Sequence, residues 1–214
     1  MDEAIKQSIN IIDCGLSDYR KILQLQYQLH EQRLHNETPD TILVLEHLDV
    51  ITLGARQSAN KLLISRDELA KMNIDVVDIR RGGGTTAHNP GQLVFYPILN
   101  LQQLKLGISE YIRKLEKIGE KLLRELDVNS SPRKGFPGLW TDNRKIASIG
   151  VRVSKSVTYH GMAINIQNDL TIFEHLIPCG LKDVEMTSVL NETGKKYPMI
   201  QVKNKLAELL HEHF

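Results

Sequence analysis

Residues 81 to 92 read Arg81-Gly82-Gly83-Gly84-Thr85-Thr86-Ala87-His88-Asn89-Pro90-Gly91-Gln92, a stretch that interrupts both helix and strand. Four glycines and one proline fall within these 12 residues. Glycine takes positive φ and lets the backbone approach another molecule closely. The runs on either side, Ile74 to Val77 and Leu93 to Leu99, are apolar and read as strands. The stretch is thus a loop between strands, with two uses open: a long turn, or a small-ligand site tipped with Arg81 and His88.

The rest of the chain alternates strand and helix patterns. Ile9 to Cys14 reads as a first strand, and Tyr19 to about His35 as a helix with Ile22, Leu25 and Leu29 on one stripe. Thr41 to Leu45 is a buried strand and Val50 to Leu53 a shorter one. Ser65 and Glu68 form a capping box for a brief helix carrying Leu69 and Met72. Ser109 is placed to cap a helix running to about Asp127, with Ile112, Leu115, Ile118, Leu122 and Leu126 facing inward. Gly138 to Ile166 reads as β structure, and Val202, Leu206, Leu209 and Leu210 mark a closing helix. Ser130 to Gly138 is the most loop-like segment. At 214 residues the expectation is one α/β domain over 1–214, a mixed β-sheet flanked by helices.

Charge and cysteine usage remove several function classes. With 27 basic against 26 acidic residues the net charge is +1, unlike a dedicated nucleic-acid binder. No run of 18 apolar residues signals a membrane span. Met1 to Lys6 has neither an apolar signal core nor a transit-peptide composition. Cys14 and Cys179 make no disulfide framework, so a cytoplasmic protein with reduced thiols is expected. No metal cluster is expected either, since His30 and His35 are one place too far apart for a zinc pair on one helical face. The 82–87 glycines fail as a dinucleotide fingerprint because Pro90 and a strand follow where that motif needs a helix.

Two residues carry candidate chemistry. Asp142-Asn143 is turn chemistry before a strand in which Lys145, Ala147, Ile149, Val151 and Val153 share one face. Lys145 therefore starts from the apolar side, where it either snorkels past the strand end to water or sits desolvated beside a chemical partner. Gly150 and Gly161, inside neighbouring strand patterns, suggest a slot for a slim ligand. Cys179 lies in a Pro-Cys-Gly turn and is the better nucleophile candidate, while Cys14 reads as a packed thiol. A reactive thiol needs a nearby cation to raise its thiolate fraction. Lys145 and the eight histidines are the candidates, and spacing does not choose among them.

Several ordered motifs resemble the lipoyl(octanoyl) transferase family. They are Glu46-His47 with Thr52-Leu53-Gly54; Arg81-Gly82-Gly83 through His88 with Pro90-Gly91-Gln92-Leu93-Val94; Gly138-Leu139-Trp140; Lys145 through Arg152; His160 through Asn165; and Pro178-Cys179-Gly180 with Thr187-Ser188. The resemblance covers about Glu46 to Leu190 and implies the catalytic fold shared with biotin and lipoate ligases. It implies that Cys179 is the acylated nucleophile and that Lys145 lowers its pKa and moves protons. It also implies a substrate site of Arg81, Gly82, Gly83, Gly84, Thr85, Thr86, Ala87 and His88, with Ser148, Ile149 and Gly150 on one strand and Gly161, Met162 and Ala163 on the next. Asn89 departs from the family's usual glycine, and Ala87 stands where an aromatic is common.

The implied reaction is ping-pong transfer of an octanoyl (or lipoyl) group from acyl carrier protein to a lipoyl-domain lysine, with no cofactor. The implied acceptors are lipoyl domains of 2-oxoacid dehydrogenase complexes and the glycine cleavage H protein. Both partners are expected to be acidic, which gives Arg80, Arg133, Lys134 and Arg144 a use as a docking rim. Three rivals remain open: an ATP-dependent lipoate-protein ligase of the same fold, a non-catalytic acyl or carrier-protein binding module, and a cysteine hydrolase.

Overall fold

The computed structural model describes residues 9–178 and 184–214. β2 (Thr41–His47) is buried on both faces: Ile42 and Val44 enter one core, Leu43 and Leu45 another. A strand covered on both sides reads as an unbroken apolar run, which is why its sequence lacks alternation. It lies in a seven-stranded sheet with β1 (Asn10–Ser17), β6 (Gln92–Ile98), β7 (Ser131–Arg133), β8 (Phe136–Thr141), β9 (Arg144–Ser154) and β10 (Val157–Asn165). The order is β1-β2-β6-β10-β9-β8-β7, with β1 parallel to β2 and the other neighbours antiparallel. The sheet is therefore mixed, as expected. β7 falls in the segment read above as loop.

Helices cover both faces. α3 (Ile108–Glu125) and α5 (Met199–His213) pack on the side of Ile42, Phe95 and Ile164, and α1 (Tyr19–Leu34) on the side of Leu43, Val94 and Tyr96. Gly119 allows α3 to lie close: a Cβ there would stand 2.5 Å from Met162 Cε. The cap of α3 is Gly107 rather than Ser109. Glu110, three residues on, accepts the Gly107 N–H at 2.8 Å, so the helix begins two residues earlier and Ser109 lies in its first turn. In α2 (Arg66–Lys71) both halves of the Ser65–Glu68 capping box form.

A second sheet was not legible in the pattern. β3 (Val50–Leu53) pairs parallel with β4 (Asp75–Asp78) and antiparallel with β5 (Thr86–His88). Its apolar side, Ile51, Leu53 and Ala87, packs on Leu69, Phe173 and Leu176. No helix among the described residues is long and apolar enough to cross a membrane.

Candidate active site

The glycine stretch is clamped from two directions. Arg81 is buried, and its Nη2 donates to the Thr52 carbonyl (2.9 Å) and Oγ1 (2.8 Å) on β3. Residues 54–60 run beside the loop: Gly54 N–H donates to the Gly84 carbonyl (3.3 Å), Ala55 N–H to that of Arg81 (2.9 Å) and Arg56 N–H to that of Gly83 (3.1 Å). On the other side Gly82 N–H donates to the Val151 carbonyl at 3.0 Å. Contact demands two of the glycines, because a Cβ on Gly54 would stand 2.3 Å from the Gly83 oxygen and one on Gly84 2.5 Å from the Ala59 oxygen. Left-handed backbone falls to Gly83 (φ 86) and Gly91 (φ 87). Asn89 instead donates through its side chain to the Asp169 carbonyl (2.7 Å) and accepts from Asn168 (3.0 Å).

Strand alternation on β5 sorts its side chains. Thr86 and His88 face a narrow crevice, while Ala87 turns into the core of the small sheet. Thr85 is buried, its Oγ1 accepting from Lys61 N–H at 2.9 Å. The crevice, about 30 Å³, brings Arg81, Gly82 and Gly83 of the loop against Ser148, Ile149 and Gly150 of β9 and Gly161, Met162 and Ala163 of β10. The glycine pair on these strands mainly admits the protein itself. A Cβ on Gly150 would meet Arg81 Cδ at 2.9 Å, and one on Gly161 the Phe95 oxygen at 2.1 Å.

Tyr19, Tyr96 and His160 complete the crevice, and His47 bonds Tyr96 OH at 2.8 Å behind it. Sequence reasoning had not placed these four at the site. Burial holds the His47 imidazole down at about 4, and burial with the Arg81 charge holds His160 down at about 3. Burial, reinforced by His47, keeps His88 well below its ordinary value. All three are neutral in the folded protein near pH 7, but the unfolded chain protonates them below about 6.5. Their stabilising contribution is therefore complete above that pH and is lost as pH falls toward about 4. The expected slope is up to about 1.4 kcal/mol per pH unit for each ring. Urea unfolding between pH 7.5 and 4.5 measures it, and His160→Gln is expected to flatten the curve.

His88 Nδ1 donates to Gln92 Oε1 at 2.7 Å, which sets its tautomer. Gln92 Nε2 donates to Asn165 Oδ1 (2.8 Å), and Asn165 Nδ2 to the Thr187 carbonyl (2.9 Å). Thr187 Oγ1 bonds the Glu192 carboxylate on α4 (Val189–Thr193), and Glu192 pairs with Arg144 at 3.0 Å. This relay ties the glycine loop to the segment that follows Pro178-Cys179-Gly180. Cys179 and Gly180 themselves lie outside the described residues.

Lys145 does not reach water. It is 2% exposed, with Nζ 5.3 Å from the centroid of the Trp140 ring. Gly138 (φ 127) makes room for it, since a Cβ there would stand 3.1 Å from Lys145 Cε and 2.2 Å from the Ala147 oxygen. Glu116 of α3 accepts the Gly138 N–H at 3.3 Å. The Lys145 N–H donates to the Glu185 carbonyl (2.8 Å), and its carbonyl accepts from Thr187 N–H (3.0 Å). Lys145 also lines a cavity of about 350 Å³ together with Gly82, Gly83, Gly84, Ile112 and Phe136. Cys14 is half-buried, and burial raises its thiol pKa, as suits a packed thiol. Among the described residues no three His, Cys, Asp or Glu side chains are grouped to share a metal ion.

Residues 18–211 match the family described as the lipoyl protein ligase A/B catalytic domain. The octanoyltransferase of Dictyoglomus thermophilum is 40% identical over 188 residues, spanning 88% of this chain and 79% of its own. The chain belongs to the octanoyltransferase family. Octanoyltransferases of Koribacter versatilis (38% identical, covering 91% of this chain and 79% of that one) and Arabidopsis thaliana (mitochondrial LIP2; 36%, 92% and 84%) agree. Among solved structures, lipoate-protein ligase A bound with ATP superposes with TM-score 0.74 at 16% identity, covering 95% of this chain and 85% of that one. Biotin protein ligase from Aquifex aeolicus gives 0.55 at 16%, covering 95% and 68%. These two likenesses concern fold alone. They bear out the mixed-sheet catalytic fold that the resemblance implies for this octanoyltransferase family member.

Proposed function

We propose that the chain carries an octanoyl (or lipoyl) group from acyl carrier protein to a lysine of a lipoyl domain, through a thioester on Cys179. Its observational support is Lys145, an amino group held inside the protein on a cavity wall. Its backbone is bonded to residues 185 and 187, a few positions after Cys179. In the first half-reaction the Cys179 thiolate attacks the donor carbonyl. The S–C bond of the donor breaks, and its leaving thiolate takes a proton from Lys145. In the second, a neutral acceptor amine attacks the acyl-cysteine, Lys145 takes its proton, an amide forms and the Cys179 thiolate departs. Thioester exchange followed by amide formation is downhill, so no nucleotide or other cofactor enters.

The loop supplies two donors for the developing oxyanion. Gly82 N–H is committed to Val151, which among the described residues leaves those of Gly83 and Gly84. The acyl chain lies in the crevice between loop, β9 and β10, with burial worth about 0.8 kcal/mol per CH2. A volume of about 30 Å³ admits it only by displacing crevice walls, and the flexible Met162 side chain suits that role. Of the four basic residues considered for docking acidic partners, Arg144 is held by Glu192 and Arg133 lies 4.3 Å over Trp140. Arg80 and Lys134 remain as rim charges.

Mixing the protein with octanoyl-acyl carrier protein is expected to add one octanoyl group to Cys179, seen by intact mass and released on adding an apo lipoyl domain. Full turnover with Cys179 unmodified would remove the proposal, and release of free octanoate would favour a hydrolase.

A further inference from the structure

Strand β9 is longer than its partner on one side. β8 pairs with it only as far as Ser148, opposite Gly138. The preceding residue of β8, Pro137, has no N–H with which to extend the ladder. β9 nevertheless continues to Ser154, with β10 along its other edge. The Val151 carbonyl points to the shortened edge, where it accepts the Gly82 N–H. Alternate residues of a strand turn their N–H and C=O to the same edge, so Ile149 shares it. Among the described residues, the Ile149 carbonyl and the Val151 N–H have no strand partner there, in the wall of the 350 Å³ cavity.

We propose that this cavity holds the thiol arm of the donor thioester, an extended chain of amides that pairs with Ile149 and Val151 as a short added strand. The inference rests on the acyl-transfer reading above and names the site for the other half of that donor. One acceptor and one donor on an open edge recruit an extended amide chain. A hydrocarbon chain laid over them would bury both groups unpaired, which is unfavourable. Lys145 on the same wall places the reacting thioester at the inner end. The arm then passes Ile112 and Phe136 toward Arg56, whose guanidinium has no ion-pair partner among the described residues and suits an anionic carrier.

The test compares octanoyl-pantetheine, which carries two amides, with the octanoyl thioester of 2-mercaptoethanol, which carries none. The rate of Cys179 acylation is read by intact mass. The pantetheine donor is expected to lead in kcat/KM by about tenfold or more, as two neutral hydrogen bonds allow. Val151→Pro removes the edge donor where proline is tolerated, and Ile112→Trp fills the cavity from α3 without touching the strand. Both are expected to bring the ratio of the two donors toward one. Equal rates in the parent, or an unchanged ratio in both folded variants, would overturn the arm site. A parent acylated by neither donor would instead sink the transfer reading beneath it.

Discussion

Lys145→Met is expected to slow octanoyl transfer by about 100- to 10,000-fold, the range for loss of a positioned proton-transfer group, while the chain stays folded. Methionine keeps the length of the stem between Gly138 and the Trp140 ring and removes only the charge and the exchangeable protons. The lost ammonium–ring attraction is worth about 0.5–2 kcal/mol. The decisive readout is the thiol. At about 4 Å and an effective dielectric near 20, one ammonium stabilises a thiolate by roughly 4 kcal/mol. Half of that holds a thiol near pH 7 instead of about 8.5. The alkylation rate of Cys179 against pH should therefore shift upward in Lys145→Met. An unshifted profile with a fall in kcat would confine Lys145 to proton transfer; an unshifted profile with unchanged kcat would remove it from the chemistry.

Local pattern revealed much of this. The apolar run at Thr41 to Leu45 announced a strand buried on both faces. The parity of Lys145 with Ala147 and Ile149 misled, because β9 carries an extra residue between Lys145 and Ala147: Ala147 lies opposite Leu139 and Lys145 opposite Trp140, so the two side chains do not share a face. The Ser65–Glu68 box marked a helix start to the residue, because its signal lies within four positions of chain. Contacts between distant segments left no such mark. Tyr19 begins a helix, Tyr96 sits in a central strand and His160 lies within β10; each reads locally as packing, and only the fold gathers them under the glycine loop. The glycines illustrate the same limit. Composition suggested that something comes close to Gly84, Gly150 and Gly161, but not that it would be other parts of the chain. The small sheet escaped notice because its strands are only three or four residues long, too short for a period of two to declare itself.

Gly161→Ala is expected to destabilise the protein by about 3 kcal/mol, at the upper end for overpacking a core. The added Cβ would lie 2.1 Å from the Phe95 carbonyl oxygen and 2.9 Å from Pro97 Cδ, both belonging to the main chain or ring of β6 rather than to a movable tip. β10 cannot retreat on its other side, where Gly161 stands opposite Gly150 and the loop fills the space beyond. The crowding arises because β6 contains Pro97, which donates no N–H. The strands close instead through Thr158, whose Oγ1 donates to the Pro97 carbonyl at 2.6 Å and accepts the Leu99 N–H at 3.0 Å. His160 takes φ 57 next to this junction, so the kink and the close approach form one feature. For a chain of this size the loss corresponds to a Tm lower by roughly 6–12 °C. Gly15→Ala is the contrast: it forces a left-handed residue (φ 63), which Gly161 is not, and its Cβ meets nothing within 4 Å. It should cost only about 1–2 kcal/mol. Equal melting of the two variants would mean that β6 yields easily, and that the crevice between β10 and the glycine loop can widen from the strand side when an acyl chain enters.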